Sequence, residues 1–138
     1  MPNYFLTKTD PETYSWNDFE KDKITSWDGI RNYAARNHMK SMKKGDIILM
    51  YHSGGESSIK GLAIVTKEAY QDPTTDEVAW ISVELKAGKK LKNEITLKQV
   101  KANGKLKNML LIKISRLSVM PVSENEFNEI ISMSENEA

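Results

Sequence analysis

The segment from residue 26 to residue 37 carries the densest group of side chains that could bind a small, flat molecule. Within it lie Trp27, Tyr33, two arginines and two asparagines, together with Gly29. Tryptophan offers a flat apolar face, while arginine and asparagine hold their hydrogen-bond donors in a fixed plane. Gly29 lets the backbone turn sharply between them. These residue types favour a site for a planar heterocycle. An exposed loop entering an amphipathic helix would explain the asparagines and the glycine, but not Trp27 with both arginines.

Residues typical of catalytic or metal sites are sparse in this sequence. Cysteine is absent, which excludes disulfides, thiolate zinc sites and cysteine nucleophiles together. The two histidines, His38 and His52, lie in separate segments without paired metal-ligand spacing. The Gly-x-Ser-x-Gly, Gly-x-Gly-x-x-Gly and Walker phosphate-loop motifs do not occur. We therefore expect no enzyme, no metal and no cofactor, although a Ser–His–acid triad, which is a spatial arrangement, stays open.

Length and composition indicate a single domain with a core of its own. The chain has 138 residues, of which 39% are hydrophobic and 28% are charged, as in ordinary soluble proteins. No run of about 18 apolar residues could span a membrane, and the N-terminus lacks the basic and apolar regions of a signal peptide. We expect a monomer in the cytoplasm, or in the nucleus if the host is a eukaryote, with no membrane partner.

Charge is unevenly distributed along the chain. Residues 124–138 contain five glutamates and no basic residue, so residues 1–123 hold 20 basic against 14 acidic side chains, a net charge of +6. Lysines cluster at residues 40–44, 86–92 and 98–107. Such runs usually form solvated surfaces, but a basic body also attracts phosphates. The charge therefore supports a nucleic-acid partner without identifying one.

Hydrophobic periodicity and turn residues predict five or six strands that must position these side chains. The strand patterns cover residues 3–8, 46–52, 59–65, 78–86 and 109–114. Ser53-Gly54-Gly55 is the expected turn of a hairpin between the second and third of them. Trp80 lies in the strand with the clearest alternation, which favours a place in the core.

Capping signatures predict short helices between the strands. They are expected over about residues 15–20, 34–43 and 96–102, with a last helix that follows the capping box of Ser123 and Glu126. The mixture indicates a compact α+β domain around a small barrel, formed by residues 1–131. Residues 132–138 are expected to be a frayed polar tail.

Four segments, in order, resemble one known family. They are YFLTKTDP (4–11) running into TYSW (13–16); WDGIRNY (27–33) with ARN (35–37); the stretch from Gly45-Asp46 to Tyr51-His52-Ser53; and RLSVMPV (116–122). In these motifs the chain is similar to the EVE-domain family, which includes thymocyte nuclear proteins and their bacterial relatives. The resemblance spans about residues 3–131. Ala34 stands where glutamine is common in the family, which removes an amide side chain from that position.

The resemblance implies a PUA-like fold, a five- to six-stranded pseudo-barrel flanked by short helices and related to the YTH and SRA-type readers. It also implies a non-catalytic reader that takes a modified base, 5-methylcytosine or a related modified cytosine, from DNA or RNA into an aromatic pocket. The base-binding residues that it implies are Lys8, Ser15, Trp16, Trp27, Ile30, Asn32, His52, Ser53, Ser118 and Val119.

The roles that the resemblance implies differ among these residues. Trp27 would be the aromatic wall and Trp16 a second aromatic beside the pocket, while Ser118 and Val119 would form its floor. Lys8, Ser15, Asn32 and His52 would contact the base edge. Arg31, Arg36 and Arg116 would meet phosphate or buttress the pocket.

Simpler structural roles remain open for several of these residues. Trp16 could be ordinary core on its short helix, and Arg116 could form a buried ion pair that holds the C-terminal segment. The end of a strand favours a hydrogen-bonding role for His52 over that of a catalytic base. Two other functions also remain open: a binder of a free nucleotide-like small molecule, and an enzyme that acts on nucleic acid or nucleotides.

Overall fold

The computed structural model describes residues 2–54 and 57–136 of the chain. Within these ranges the strands are β1 (Tyr4–Thr9), β2 (Ile24–Trp27), β3 (Ile47–His52), β4 (Ser58–Gln71), β5 (Ile81–Thr96) and β6 (Val119–Val122). The helices are α1 (Trp16–Asp22), α2 (Tyr33–Lys40), α3 (Leu97–Ala102), α4 (Leu110–Lys113) and α5 (Glu124–Asn136), with a short 3-10 helix at Gly104–Leu106.

The strands form one six-stranded sheet in the order β2-β5-β4-β3-β1-β6. β1 runs parallel to β3, and the remaining neighbours are antiparallel. The register between the long strands β4 and β5 shifts four times, and such irregularities bend strands and increase their twist. The predicted α+β class and strand number are confirmed, in a sheet whose two end strands, β2 and β6, leave it open.

One close contact between a helix and the sheet fixes the position of α1. Trp16 at the start of α1 is 2% exposed and lies against β4 at Gly61. A Cβ atom at Gly61 would lie 2.4 Å from the Trp16 ring, so only glycine admits the indole at this distance. Phe19 packs edge-on to Trp16 with ring centroids 5.7 Å apart. This packing fixes α1 and, with it, the segment that precedes the helix.

The prediction of a strand over residues 109–114 is wrong, because this segment contains helix α4. The apolar run is short and continuous, and such a run does not distinguish a buried strand from a buried helical turn. Met109 and Leu111 are buried while Ile114 is 48% exposed. The segment therefore covers the core with a helical turn and contributes no strand.

Other element boundaries also differ from the sequence predictions, and two strands were not predicted. The strand expected from residue 78 begins at Ile81; Trp80 is buried as predicted, but Val78 is 87% exposed in the preceding loop. Helix α2 ends at Lys40, three residues early. Strands β2 and β6 were not predicted, because each is only four residues long and β6 contains Pro121. Proline is tolerated in β6 because this strand lies at the edge of the sheet.

The predicted frayed tail is wrong for residues 132–136, which continue helix α5. Ser134 is only 1% exposed, because its backbone oxygen accepts a 2.7 Å hydrogen bond from Asn93 Nδ2 and its Oγ accepts one of 3.2 Å from the Asn93 backbone N–H. Glu137 and Ala138 lie outside the described residues, as does Gly55 of the predicted hairpin turn.

Candidate functional site

A cavity of about 480 Å³ opens where the first two family-like segments meet. One wall comes from the end of β1 and the loop that leads to α1, and the other from β2 and the loop that leads to α2. The lining residues are Lys8, Thr9, Asp10, Thr13, Tyr14, Thr25, Ser26, Trp27, Asp28, Gly29 and Ile30. Its volume lies within the range of about 300–1,000 Å³ that is typical of small-molecule sites.

Trp27 belongs both to the cavity wall and to the core. It is 7% exposed, and its ring meets Tyr14 at 6.2 Å and Phe19 at 6.4 Å in edge-to-face arrangements. The Tyr14 hydroxyl donates a 2.8 Å hydrogen bond to Asp22, and burial and this carboxylate raise the pKa of Tyr14 to about 12. Ring packing and this hydrogen bond therefore hold the aromatic wall in place.

The buried carboxylate of Asp72, at the end of β4, holds the loop after Trp27 in place. Its Oδ2 accepts 2.9 Å hydrogen bonds from the Gly29 backbone N–H and from Arg31 Nη1, while Oδ1 accepts from the backbone and hydroxyl of Thr74. Burial alone would raise the pKa of Asp72, but the bonds from Thr74, Gly29 and Arg31 outweigh it and hold the pKa at about 2. Gly29 itself has φ +79°, a conformation that favours glycine.

Lys8 faces the cavity from the opposite wall. Its Nζ donates a 2.7 Å hydrogen bond to the Ser115 backbone oxygen and lies 5.7 Å from the centre of the Tyr51 ring. Partial burial lowers the pKa of Lys8. Its backbone N–H donates to the Ser118 oxygen at 2.9 Å. Lys8 therefore joins the cavity wall to the segment that carries Arg116.

Four predicted base-binding residues form the frame around the cavity and do not line it, namely Ser15, Trp16, Asn32 and His52. Ser15 and Asn32 are the N-caps of α1 and α2, and their side chains accept hydrogen bonds from the backbone of Asp18 and Ala35. The His52 ring nitrogen Nε2 accepts a 2.9 Å hydrogen bond from the Trp16 backbone N–H. These bonds orient the helices that flank the site.

The remaining predicted pocket residues are placed as follows. Ile30 lines the cavity. Val119 is fully buried in β6, paired with Thr7, and Ser53 donates its backbone N–H to the Thr9 oxygen at 2.9 Å. Ser53, Ser118 and Val119 therefore support β1 beneath Lys8 and Thr9, and they do not line the cavity itself.

Of the three predicted arginines, Arg31 and Arg36 lie just before and within α2, and Arg116 follows Ser115, whose backbone oxygen binds Lys8. Arg31 and Arg36 flank a tilted pair of rings: Arg31 lies 5.6 Å from the Trp80 ring and Arg36 lies 5.0 Å from the Tyr33 ring, with the two ring centroids 4.9 Å apart. Arg36 donates to the backbone oxygen of Ala79 and to the side-chain oxygen of Asn37, both of which are uncharged. Arg116 is exposed beside Ser115, which rules out the buried ion pair considered for it.

The hydrogen bond to Trp16 makes His52 a pH-sensitive point of the frame. Burial and the nearby charge of Lys60 lower the pKa of His52 from 6.5, and Glu94 opposes this only partly. Because the unfolded chain takes up the proton first, the free energy of unfolding should fall as pH drops below about 6.5. His52→Gln should flatten this dependence in denaturant titrations between pH 5 and 8.

The matched control for this prediction is His38→Gln, which removes the other histidine and leaves the bond to Trp16 intact. It should keep the slope of the unmodified protein. An unchanged slope in His52→Gln would show that the acid sensitivity arises elsewhere.

Sequence reasoning missed two residues of the site. Asp72 was given no role, because the residues that it contacts lie 43 and 41 positions away and leave no local signature. Asp28 was inside the identified segment but was given no role. Within residues 2–54 and 57–136, no group of three His, Asp or Glu side chains could hold a metal ion. No helix in these ranges is long and apolar enough to cross a membrane.

The fold and site define a small α+β domain with an aromatic-walled cavity beside the short edge strand of its sheet. The profile of the EVE domain family matches residues 3–133. The chain belongs to this family, as its four motifs predicted. Human thymocyte nuclear protein 1 is 32% identical over 171 aligned positions, which cover 99% of this chain and 76% of the human protein.

Solved structures agree with this assignment. A hypothetical protein from Leishmania major has a TM-score of 0.93 and 36% identity, covering 99% of this chain and 97% of that one. Human thymocyte nuclear protein 1, solved in complex with DNA that contains 5-methylcytosine, has a TM-score of 0.91 and 32% identity over 99% of both chains. The Mmi1 YTH domain, 11% identical with a TM-score of 0.60 over 97% of this chain and 88% of that one, shares the fold alone.

Proposed function

We propose that this protein is a non-catalytic reader that takes a modified base of DNA or RNA, 5-methylcytosine or a related modified cytosine, into the cavity beside Trp27. The observation that carries the proposal is the cavity itself, which is walled by a rigid aromatic ring and lined by polar groups. The complex of human thymocyte nuclear protein 1 with 5-methylcytosine DNA supports it. The protein would meet nucleic acid in the cytoplasm, or in the nucleus of a eukaryote.

The energetics of base extrusion fit such a cavity. Stacking of a base on an aromatic side chain contributes about 1–3 kcal/mol, against a few kcal/mol for unstacking and unpairing the base. One methyl group in an apolar site adds only about 1–3 kcal/mol. We therefore expect detectable binding of a modified oligonucleotide and a modest preference over the unmodified one.

Positive charges beside the cavity would contact the phosphates that flank the extruded base. Arg36 and Arg116 have no carboxylate within ion-pair distance in the part of the chain that the structure describes, whereas Arg31 is neutralised by Asp72. Their unpaired charge is available to an anionic strand. Arg36 and Arg116 are therefore the side chains expected to give binding its dependence on salt.

Salt dependence distinguishes a nucleic-acid reader from a binder of a free nucleoside. Affinity for the modified oligonucleotide should fall by about one log unit per phosphate contact for each tenfold rise in salt, while a neutral nucleoside should barely respond. Arg36→Gln and Arg116→Gln should each reduce the slope by about one. Fluorescence anisotropy between 50 and 300 mM salt measures this.

Lys105→Gln is the matched control, because it removes one positive charge beside Glu129 of α5, away from the cavity. It should leave the slope unchanged. Equal slopes in all three variants would contradict the placement of the strand beside the cavity.

The enzyme alternative requires a group that attacks or deprotonates the base. His52 is the sole histidine close to the site within the described ranges, and its Nε2 is occupied by the Trp16 N–H. Prolonged incubation with modified DNA, RNA and nucleotides should therefore give no product by mass spectrometry. Product in excess of the protein, with or without divalent metal, would favour the enzyme alternative.

A further inference from the structure

Three charged side chains line the cavity: Lys8, Asp10 and Asp28. Two of them already have a partner within the protein. Lys8 Nζ donates to the Ser115 oxygen at 2.7 Å, and Asp10 Oδ1 accepts from the Glu12 backbone N–H at 2.9 Å. Two of the hydroxyl groups in the lining are engaged as well, since the Thr9 hydroxyl donates to the Tyr14 oxygen and the Ser26 hydroxyl pairs with Tyr70.

Asp28 is the exception among the charged residues. Its carboxylate accepts no hydrogen bond from another residue of the described chain, although it lies directly between Trp27 and Gly29. Arg31, the nearest cation along the chain, directs its guanidinium to Asp72 at 2.9 Å instead. Burial and the negative charge of Asp72 raise the pKa of Asp28, while Arg31 opposes this only in part. A hydrogen-bond donor supplied by a ligand would relieve this unfavourable environment.

A carboxylate can only accept hydrogen bonds, so it discriminates between pyrimidines by the group at C4. Cytosine presents an amino group there, from which Asp or Glu accepts. Thymine presents an oxygen, whose lone pairs would face the carboxylate and leave both groups unpaired. The methyl group at C5 is the same in 5-methylcytosine and thymine, so the methyl cannot distinguish them.

We propose that Asp28 is the specificity-determining residue of the cavity, accepting a hydrogen bond from the C4 amino group and so selecting cytosine-type over thymine-type bases. This rests on the proposed function, because it assumes that an extruded base enters the cavity. It assigns discrimination at C4 to one side chain and leaves recognition of the C5 methyl group to the apolar wall.

The test uses four duplexes that differ at one base and place an abasic site opposite it, so that the cost of extrusion is similar in each. The central bases are 5-methylcytosine, cytosine, thymine and uracil, which vary the methyl group and the C4 group independently. The unmodified protein should bind each amino base at least about tenfold more tightly than its oxo partner. The preference for the base with a C5 methyl group should be smaller. It should be the same for 5-methylcytosine over cytosine as for thymine over uracil.

Asp28→Asn should abolish the discrimination at C4, because an amide can rotate to donate or to accept. Asp10→Asn is the matched control, since it removes the same charge from the same cavity but should preserve the tenfold ratio. Retention of the ratio in Asp28→Asn would overturn the inference while leaving the reader function intact. Equal binding of all four duplexes and of one that lacks the central base would instead overturn the proposed function.

Discussion

Replacing Trp27 with alanine should lower the free energy of unfolding by about 3–5 kcal/mol and weaken base binding by about 1–3 kcal/mol. The ring is 7% exposed and packs against Tyr14 and Phe19, so its removal leaves a void in the core as well as in the cavity wall. Trp27→Phe separates the two effects, because it keeps an aromatic ring in the core. It should remain folded by circular dichroism and bind a 5-methylcytosine oligonucleotide several-fold more weakly.

Trp16→Phe is the matched control for this prediction. Trp16 lies in the same aromatic cluster, 5.7 Å from Phe19, but it does not line the cavity. Its replacement should lower stability in denaturant titrations and leave the affinity of the folded protein unchanged. Equal losses of affinity in Trp16→Phe and Trp27→Phe would mean that the cluster acts through packing alone.

Removing the Asp72 carboxylate should release the loop that forms one wall of the cavity. Asp72→Asn weakens the bonds from Gly29, Arg31 and Thr74, and should cost about 1–3 kcal/mol of stability with at least a tenfold loss of affinity for the modified oligonucleotide. The pKa of Asp72 lies at about 2, below its ordinary 3.8, so its contribution is complete above about pH 4 and disappears as pH falls toward 2. Acid unfolding should therefore be shallower in Asp72→Asn, as measured by denaturant titrations from pH 2 to 6.

Asp46→Asn provides the matched control for this second prediction. Asp46 is also buried, and it accepts from the backbone N–H groups of Asn3 and Lys43, at 3.0 and 2.8 Å, away from the cavity. Its replacement should destabilise the fold comparably without loss of affinity. Full affinity in Asp72→Asn would show that the loop keeps its shape without this anchor.

The sequence predicted the segment around Trp27 because residue types alone reveal an excess of planar, polar groups. It also predicted helices that start near Ser15 and Thr96, where the structure has capping boxes between residues three positions apart. Such short-range patterns are readable because the interacting groups are fixed by local geometry. The motif positions likewise gave the family and the α+β class.

Features that depend on distant contacts were not predictable from local patterns. Asp72 anchors Gly29 only because β4 and the loop after β2 are brought together by β5. Helix α4 forms in an apolar run that is equally compatible with a strand, and α5 extends because Ser134 finds a partner in Asn93. His52 and Asn32 resembled base contacts by motif, while in the structure each bonds to the backbone at a helix start.

An NMR titration that follows backbone amide shifts tests the location of the ligand most directly. A duplex with one 5-methylcytosine should shift amides at residues 8–10, 13–14 and 25–30, which line the cavity beside Trp27, with smaller shifts from the unmodified duplex. A second cavity, of about 540 Å³ between residues 2–5 and 121–124, provides the comparison. Shifts confined to that cavity, or identical shifts from both duplexes, would contradict the assignment of the modified base to the Trp27 site.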